Sequence, residues 1–528
     1  MKKLPELIEA IEDLDMERLE SLLSSGAGTN VYGRDGMPLL EYAVLSGCSP
    51  EALRLLIAHG ADLEARDSEG RTALMTAVVS SKDPEVVRAL LEAGADTEAE
   101  DNNEMTALIA GAVSCKSIPV YRELLSAGAN VDAVDKDGMT VMTAAATCAV
   151  DPALLDALSE AGGDLESRDG DGYTPLMNAV MFNDSLPVIR RLLSLGAKVN
   201  ARDGEGTTAL MFASEQGRSD VVSLLLENGA DAGLKDWSGQ TALIYAVRNS
   251  EVPPEVIGAL LEKGAEVNAK DDIGGTALSY AVANITRVDI IRSLVEAGAD
   301  INARDDTNAT ILHVAAGTNP EEAVTRYLLS LGADPDARDE EDHTVLMIAA
   351  ANNPELSVVK AVMGASGNVQ ATDINGWNAA WCAAALNSNT AVVKALVKAG
   401  CSIDMLDMAG ATVLMEAASQ ACSPAMVGTL LKLGQKVDAR DSEGRTALMY
   451  AVANPDSSST VAGLIRNGAD VNAKDNRGVS VIAKAVASYA PEEVVRELAE
   501  AGAKVTGKVL KLAQLESMKE LLSKYAKG

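Results

Sequence analysis

Histidine and cysteine are the side chains most often used to bind transition metals or to act as nucleophiles, and this chain of 528 residues has few of them. Its three histidines, His59, His313 and His343, lie far apart, and none has a histidine or cysteine partner at metal-ligand spacing. Six cysteines show no C-x-x-C spacing: Cys48, Cys115, Cys148, Cys382, Cys401 and Cys422. The pattern predicts no metal site, and scattered thiols of this kind are typical of reduced cysteines in a cytoplasm.

Motifs for catalysis or phosphate binding are absent from the sequence: GxSxG, HExxH, GxxxxGK[ST] and GxGxxG do not occur. DKDG at 135–138 and DGDG at 169–172 resemble fragments of calcium loops, but both lack the glutamate at the twelfth position. Aspartate and glycine are also ordinary turn residues. We therefore expect no cofactor and no enzymatic activity. Two ionisable groups from adjacent turns buried in one cleft would reopen the question.

The charge balance also limits the classes of partner. The formal net charge is −32, which disfavours nucleic acids and anionic membrane surfaces because both are bound mainly through lysine and arginine. No run of about 18 apolar residues predicts a membrane span. Acidic residues interrupt the N-terminal segment at Glu6, Glu9 and Glu12, so we expect no signal peptide. These features favour a cytoplasmic protein, with export as an effector left open.

The elements that position all these residues come from an internal repeat. The sequence ARDSEGRTALM occurs twice, at 65–75 and 439–449. A small residue recurs at steps of 33 to 35 residues: Gly26, Gly60, Gly94, Gly128, Gly162, Gly196, Gly229, Gly264, Gly298, Gly332, Ser366, Gly400, Gly434, Gly468 and Gly502. A period of this length indicates a repeat protein in which each unit contacts only its neighbours.

One unit shows why the repeat folds. Thr72 is a candidate N-cap for a first helix of about eight residues. Asp83 is a candidate N-cap for a second helix whose first turn holds Pro84, where a missing N–H is tolerated. Gly94 lies where a left-handed residue would end that helix. The segment that follows is too short for a helix and predicts a β-like finger before the next threonine.

Because each helical pair can bury only one side of itself, stacking must bury the rest, and the sequence predicts an all-α solenoid. We expect one continuous solenoid over 1–528, with a capping pair at 1–25, fourteen repeats of about 34 residues over 26–502 and a capping pair at 503–528. The first pair is acidic, whereas the tail from 504 carries six lysines against two glutamates. This polarity suits either solvated caps or end-to-end contact.

These features resemble those of the ankyrin-repeat family. The resemblance covers the whole chain and rests on the finger–helix–loop–helix order, on TPLM at 174–177 and TILH at 310–313, and on LLENGADAG at 225–233. The chain departs from the family in two ways. Most units have one extra residue between the helices, and methionine or isoleucine mostly replaces the usual histidine, which only His313 retains. The resemblance implies hydrogen bonding between repeats by that histidine, and hence a less polar seam where it is lost.

The resemblance also implies that a protein partner would contact the finger tips and the concave helix face. Two sets of apolar or aromatic residues fall on those positions. The first cluster is Met105, Met139, Tyr173, Met181, Phe182 and Trp237, and the second cluster is His343, Trp377 and Leu386. Either set could instead be buried by stacking on adjacent fingers. Acids on the same rows favour a basic or helical partner, and the nearly uncharged first helices would also suit an extended peptide.

The stretch GWNAAW at 376–381 divides between these two interpretations. Trp377 lies on the partner-facing row, whereas Trp381 occupies the position where other repeats place methionine in the seam. We therefore predict that Trp377 contributes to a binding surface and that Trp381 belongs to the core. The function predicted for the whole chain is a non-enzymatic interaction scaffold that acts as a monomer. The alternatives are an architectural spacer or self-associating rod, and an enzyme whose site the sequence does not reveal.

Overall fold

The computed structural model describes residues 4–33, 36–81, 83–114 and 117–526. Cys115 and the predicted loop residue Lys82 lie outside this part of the chain, as do the first three and last two residues of the predicted caps. Within it the structure has thirty-two α-helices: α1 Leu4–Glu12, α2 Met16–Ser24, α3 Leu39–Leu45, α4 Pro50–Ala58, α5 Ala73–Ser80, α6 Pro84–Glu92, α7 Ala107–Ser114, α8 Ile118–Ser126, α9 Val141–Cys148, α10 Ala153–Glu160, α11 Pro175–Phe182, α12 Leu186–Leu195, α13 Ala209–Glu215, α14 Ser219–Glu227, α15 Ala242–Arg248, α16 Pro254–Glu262, α17 Ala277–Asn284, α18 Val288–Glu296, α19 Ile311–Thr318, α20 Glu322–Ser330, α21 Val345–Asn352, α22 Leu356–Ala365, α23 Ala379–Leu386, α24 Thr390–Lys398, α25 Val413–Ser419, α26 Pro424–Lys432, α27 Ala447–Ala451, α28 Ser458–Arg466, α29 Val481–Ala487, α30 Glu492–Glu500, α31 Gly507–Leu512 and α32 Glu516–Tyr525.

The predicted helix boundaries of the repeat are confirmed. Thr72 Oγ1 accepts a hydrogen bond from the Met75 N–H at 3.4 Å and caps α5, and the Asp83 side chain caps α6 by accepting from the Glu85 N–H at 3.0 Å. Gly94 ends the pair with φ of 92°, in the left-handed region that favours glycine. The boundaries could be predicted because each depends on residues within one turn of the helix end.

The fingers are held by an aspartate and not by an extended β-ladder. Asp67 Oδ1 accepts from the backbone N–H groups of Glu69 at 2.9 Å and Arg71 at 2.8 Å. Strand pairing in the described fingers is reduced to isolated antiparallel bridges such as Arg338 with Thr344. A finger of this kind is fixed by its own sequence, since the aspartate closes the turn that it occupies.

Side chains also join each repeat to the next. The Arg338 guanidinium donates to the Asp342 carbonyl at 2.8 Å within its finger and to the Thr372 carbonyl of the next finger at 3.0 Å. At the opposite end of the repeat, Asn353 Nδ2 donates to the Ala316 carbonyl at 3.0 Å. The bonds to the Thr372 and Ala316 carbonyls tie adjacent repeats together and satisfy backbone groups that burial takes away from water.

The core lies between successive helical pairs and is built from small and medium side chains. The first helix of each pair packs on the first helices of its neighbours, as α21 does on α19 and α23. Methionine at the family's histidine position is buried, with Met347 1% exposed. His313 is also buried, but its Nε2 hydrogen-bonds the His343 carbonyl of the next repeat at 3.2 Å. A less polar seam thus follows wherever methionine stands in place of histidine.

Contacts divide the chain into two compact units. The first unit is Met1–Ala246 with Val252–Glu266, and the second unit is Val247–Glu251 with Val267–Gly528. The first cluster predicted from the sequence lies in the first unit and the second cluster lies in the second unit.

Candidate partner-binding surfaces

Trp237 is the most exposed aromatic side chain of the first cluster, with 62% of its surface accessible. Its backbone N–H donates to the Glu205 carbonyl at 2.9 Å, and its indole Nε1–H donates to the Gly204 carbonyl at 3.0 Å. The indole lies so close to Gly206 that a Cβ there would come within 2.8 Å of the ring. Arg202 covers the ring at 5.0 Å from its centroid. The ring therefore rests on the preceding finger in a fixed orientation while remaining largely open to solvent.

The other members of the first cluster divide between exposed and packed positions. Phe182, the last residue of α11, is 58% exposed. Tyr173 is half-buried and meets Phe212 of the next repeat edge-on, with ring centroids 5.6 Å apart. Met139 and Met181 are also half-buried. The sequence had not singled out Phe212, which lies four residues after the capping Thr208.

Met105 lies in a different setting from the aromatic members of its cluster. It lines an open cavity of about 290 Å³ together with Leu45, Arg71, Met75 and Val113. Leu45 and Val113 are 47% and 45% exposed. Two of the first-helix residues that line this cavity, Thr76 and Ala110, are small. A large side chain at either position would fill the space. This cavity was not predicted from the sequence.

The second cluster is more buried than the first. Trp377 is half-buried and its ring lies 5.8 Å from that of Trp381 between centroids. Trp381 is 1% exposed, as expected for a core residue. The indole nitrogens of both tryptophans are buried without a hydrogen-bond partner. Leu386, at the end of α23, is 56% exposed. The tryptophan pair therefore contributes little free surface.

His343 connects two fingers of the second unit. Its Nδ1 lies 3.1 Å from Asp339 Oδ2 and 3.6 Å from Glu341 Oε2, and its Nε2 lies 3.5 Å from Asp373 Oδ2 in the next finger. The Asp373 side chain is 1% exposed. His343 thus lies between carboxylates of adjacent repeats. It contributes to the contact between two fingers in addition to being a candidate partner-binding residue.

Exposed apolar residues at finger tips were missed in the second unit. Ile374 is 60% exposed and Met408 is 88% exposed, and each follows directly after its finger aspartate. Trp237 has the same relation to Asp236. An apolar residue directly after the finger aspartate is therefore a recurring sequence feature, but of these residues only Trp237 was predicted to contact a partner.

A row of tyrosines that stabilises the fingers was also missed. Tyr245, Tyr280 and Tyr450 each donate a hydrogen bond to the Oδ2 carboxylate oxygen of their own finger aspartate, at 2.9, 2.6 and 2.9 Å. Each tyrosine lies nine residues after that aspartate, so the signal is an Asp-x8-Tyr spacing. Burial raises the pKa of Tyr450, and its bond to Asp441 raises it further.

Glu41 is a buried carboxyl group of the first unit whose pKa is shifted. It is 0% exposed, its Oε1 accepts from Thr76 Oγ1 at 2.7 Å, and its Oε2 has no hydrogen-bond partner. Desolvation by burial raises the pKa of Glu41 to about 7, and the nearby negative charge of Asp67 adds to the rise, while the Thr76 bond and Arg71 oppose it. Glu41 itself does not line the cavity of about 290 Å³, although Thr76 and Arg71 do.

The described cysteines are all free: Cys48, Cys148, Cys382, Cys401 and Cys422. Burial raises the pKa of the Cys382 and Cys422 thiols to about 12. Since the thiolate is the nucleophile and the metal ligand, these two groups are held in their unreactive form. In the part of the chain that the structure describes, no group of three or more histidine, cysteine, aspartate or glutamate side chains could hold a metal ion.

The model of the family described as ankyrin repeats (3 copies) matches the chain at residues 7–101, 142–236, 231–305, 278–373, 346–441, 382–475 and 424–509. The chain belongs to the ankyrin-repeat family. Its all-α solenoid of ankyrin repeats is thereby confirmed, and ankyrin repeats are in general interaction modules for proteins and not enzymes. No curated protein matches the chain. Among the described helices of this ankyrin protein, none is long and apolar enough to span a bilayer.

Proposed function

We propose that this ankyrin-repeat protein is a non-enzymatic scaffold that binds a protein or peptide partner on the finger face of its first unit. The observation that carries the proposal is that Phe182 and Trp237 are 58% and 62% exposed while Trp237 is held in place by two hydrogen bonds. Exposed aromatic side chains that are already ordered are effective binding anchors, because little conformational entropy is lost when a partner covers them.

The charge of the same face supports a basic partner. Four acidic side chains occupy exposed finger positions of the first unit: Glu69, Asp137, Asp171 and Glu205. A partner with lysine or arginine beside its apolar residues would complement both features, and the interaction would weaken as salt is added. No cofactor is required for this activity.

The test is affinity capture from a cell lysate with the wild-type chain and with a triple variant, Tyr173→Ala, Phe182→Ala and Trp237→Ala. We expect the triple variant to lose the captured partner while circular dichroism shows unchanged helicity. The control variant Ile374→Ala, Leu386→Ala and Met408→Ala removes three residues of the second unit and should keep the partner. Capture that survives the first set of changes, or is lost only with the second set, would refute this site.

Self-association is the second candidate function, and one observation favours it. Leu512 and Leu515 are 43% and 61% exposed in the lysine-rich tail, whereas the first helical pair is acidic. A rod built by end-to-end contact would give oligomers that grow with concentration and dissociate in salt. We propose that the scaffold acts as a monomer, so sedimentation velocity should give one monomeric species over a wide concentration range.

A further inference from the structure

Two open cavities of the first unit meet at Leu45. One has a volume of about 290 Å³ and the other has a volume of about 540 Å³. Both are lined by Leu45, and their other lining residues include members of the helices α1, α3, α5 and α7. The two cavities together are here called the N-terminal groove. Its apolar surface is provided by Leu4, Ile8, Met37, Leu45, Met105 and Val113. Neighbouring packed helices lie 8–10 Å apart, so four of them span roughly 30 Å.

Three polar side chains on the groove wall, Thr76, Ser114 and Asn103, already make hydrogen bonds within the protein. Thr76 Oγ1 donates to Glu41 Oε1 at 2.7 Å, Ser114 Oγ donates to the Gly111 carbonyl at 3.0 Å, and Asn103 Oδ1 accepts from Lys136 Nζ at 2.6 Å. A peptide in an extended conformation would bring backbone N–H and C=O groups that need new partners. An α-helix satisfies its own backbone groups, so a helix fits this wall better than an extended strand.

The charges around the groove favour a cationic partner. Glu9, Glu69 and Asp101 line the two cavities. Arg71 also lines one of them and is paired with Asp67 at 2.8 Å and with Glu69 at 3.2 Å, while Glu9 is paired with Arg18 at 2.8 Å. The excess negative charge near the groove therefore comes from the surrounding acidic residues. Over residues 1–116, acidic residues outnumber basic residues by about two to one. Lysine or arginine side chains flanking an apolar stripe would therefore face complementary charge.

We propose that the N-terminal groove binds an amphipathic α-helix whose apolar stripe covers Leu45, Met105 and Val113 and whose lysine or arginine residues face the acidic rim. A helix of about 20 residues is long enough to cross all four groove helices. This site shares Met105 with the first cluster and Glu69 with the acidic finger positions, but it does not include the aromatic anchors Phe182 and Trp237.

A cavity-filling substitution tests the site without removing any existing contact. Ala110 lines the cavity of about 290 Å³ and lies nine residues after Asp101, the position at which Tyr245, Tyr280 and Tyr450 bond their finger aspartates. Ala110→Tyr should therefore place a phenol ring in the cavity in a conformation that the repeat already accommodates. Val314→Tyr is the matched control, because Val314 lies nine residues after Asp305 in the second unit.

The probe is a fluorescently labelled synthetic peptide of leucine and lysine, with the leucines at helical spacing, and binding is measured by fluorescence anisotropy. We expect the wild type and Val314→Tyr to bind equally and Ala110→Tyr to bind at least about ten-fold more weakly. Val113→Lys, at a residue that is 45% exposed, should weaken binding through repulsion and does not depend on how a larger ring packs.

Equal binding by the wild type and both groove variants would overturn the proposal. Equal binding of a sequence-scrambled leucine–lysine peptide would also overturn it, because it would show attraction by charge alone. Replacement of the peptide lysines by glutamate should abolish binding. Phe182→Ala with Trp237→Ala should leave peptide binding unchanged, so that the groove and the aromatic surface can be rejected independently of each other.

Discussion

Two identical stretches of sequence, residues 65–75 and 439–449, fold into the same finger in different units of the protein. Asp67 and Asp441 each accept a hydrogen bond from the backbone N–H four residues later, at 2.8 and 2.7 Å. The fingers also receive the next repeat alike, since the Glu69 and Glu443 carbonyls accept backbone bonds at 3.0 and 2.9 Å. Local sequence is therefore sufficient to fix the finger, wherever in the array it stands.

The two copies differ in what surrounds them. Tyr450 follows the second copy, where its hydroxyl donates to Asp441 Oδ2 at 2.9 Å and its ring lies 4.9 Å from the Arg445 guanidinium. Thr76 follows the first copy and donates to Glu41 of the preceding repeat instead. A cavity lies beside Arg71 in the first copy. The difference shows that single residues outside the shared finger decide whether a repeat presents a filled wall or an open groove.

The largest expected effect concerns a third repeat, in which Trp377 and Trp381 stand at the positions of the arginine and the methionine of the two copies. Trp381→Ala should cost about 3–5 kcal/mol, because the side chain is almost wholly buried and its removal leaves a cavity. Trp377→Ala should cost only about 1 kcal/mol, from its stacking on Trp381. Chemical denaturation of the two variants measures both. Equal losses would mean that the position before the helix cap is as much core as the position in the seam.

The next largest effect is a pH dependence of stability, which we expect at the first copy and not at the second. Glu41 belongs to the repeat before the first copy and lies 35 residues before Thr76. The equivalent residue before the second copy is Met415, which lies 35 residues before Tyr450. A pKa raised from the ordinary 4.5 to about 7 means that the folded protein binds the Glu41 proton more tightly than the unfolded chain does. Ionising the buried carboxyl therefore destabilises the fold as pH rises from about 4.5 to 7, by about 3 kcal/mol, and the cost stays constant above pH 7.

Glu41→Gln should remove this dependence. We expect the variant to be more stable than the wild type at pH 8, with the difference vanishing near pH 4.5, as measured by hydrogen exchange of the α3 and α5 amides. Met415→Glu provides the reverse change and should destabilise the second copy increasingly as pH rises. A difference between wild type and Glu41→Gln that is constant over this range would show that Glu41 does not titrate there.

Much of the fold could be predicted from the sequence because its determinants are local. Thr72, Asp83 and Gly94 each act within a single helix turn, and the repeat places the same chemistry in every unit. The small residues at 76 and 110 also carried a signal. The Asp-x8-Tyr spacing of three other repeats shows which side chain would fill the cavity, and Thr76 and Ala110 stand at that position in the two repeats that line it.

The exposure of individual aromatic residues could not be predicted in the same way. Trp237 and Trp377 both fall on finger positions, yet Trp237 is 62% exposed and Trp377 is half-buried against Trp381. Exposure depends on what the adjacent repeat places beside the ring. Trp237 rests on Gly206 with Arg202 over its ring, whereas Trp377 has a second indole within its own repeat. The position of a residue in the repeat predicts that it lies on a finger, but the neighbouring side chains determine how much of its surface is exposed to a partner.

The smallest expected effect tests the tyrosine that distinguishes the second copy. Tyr450→Phe removes only the hydroxyl that bonds the Asp441 carboxylate and keeps the ring beside Arg445. Because a hydrogen bond to a charged group is lost in a half-buried site, we expect a loss of about 1–2 kcal/mol in the free energy of unfolding. Tyr280→Phe should give a similar loss, since Tyr280 makes the equivalent bond to Asp271 at 2.6 Å. Tyr489→Phe is the control at a residue that is 65% exposed, and it should be nearly neutral. If Tyr450→Phe and Tyr280→Phe were as neutral as the control, the finger aspartate would not need the tyrosine hydroxyl as a donor. The cavity beside the first copy would then reflect only the smaller volume of Thr76.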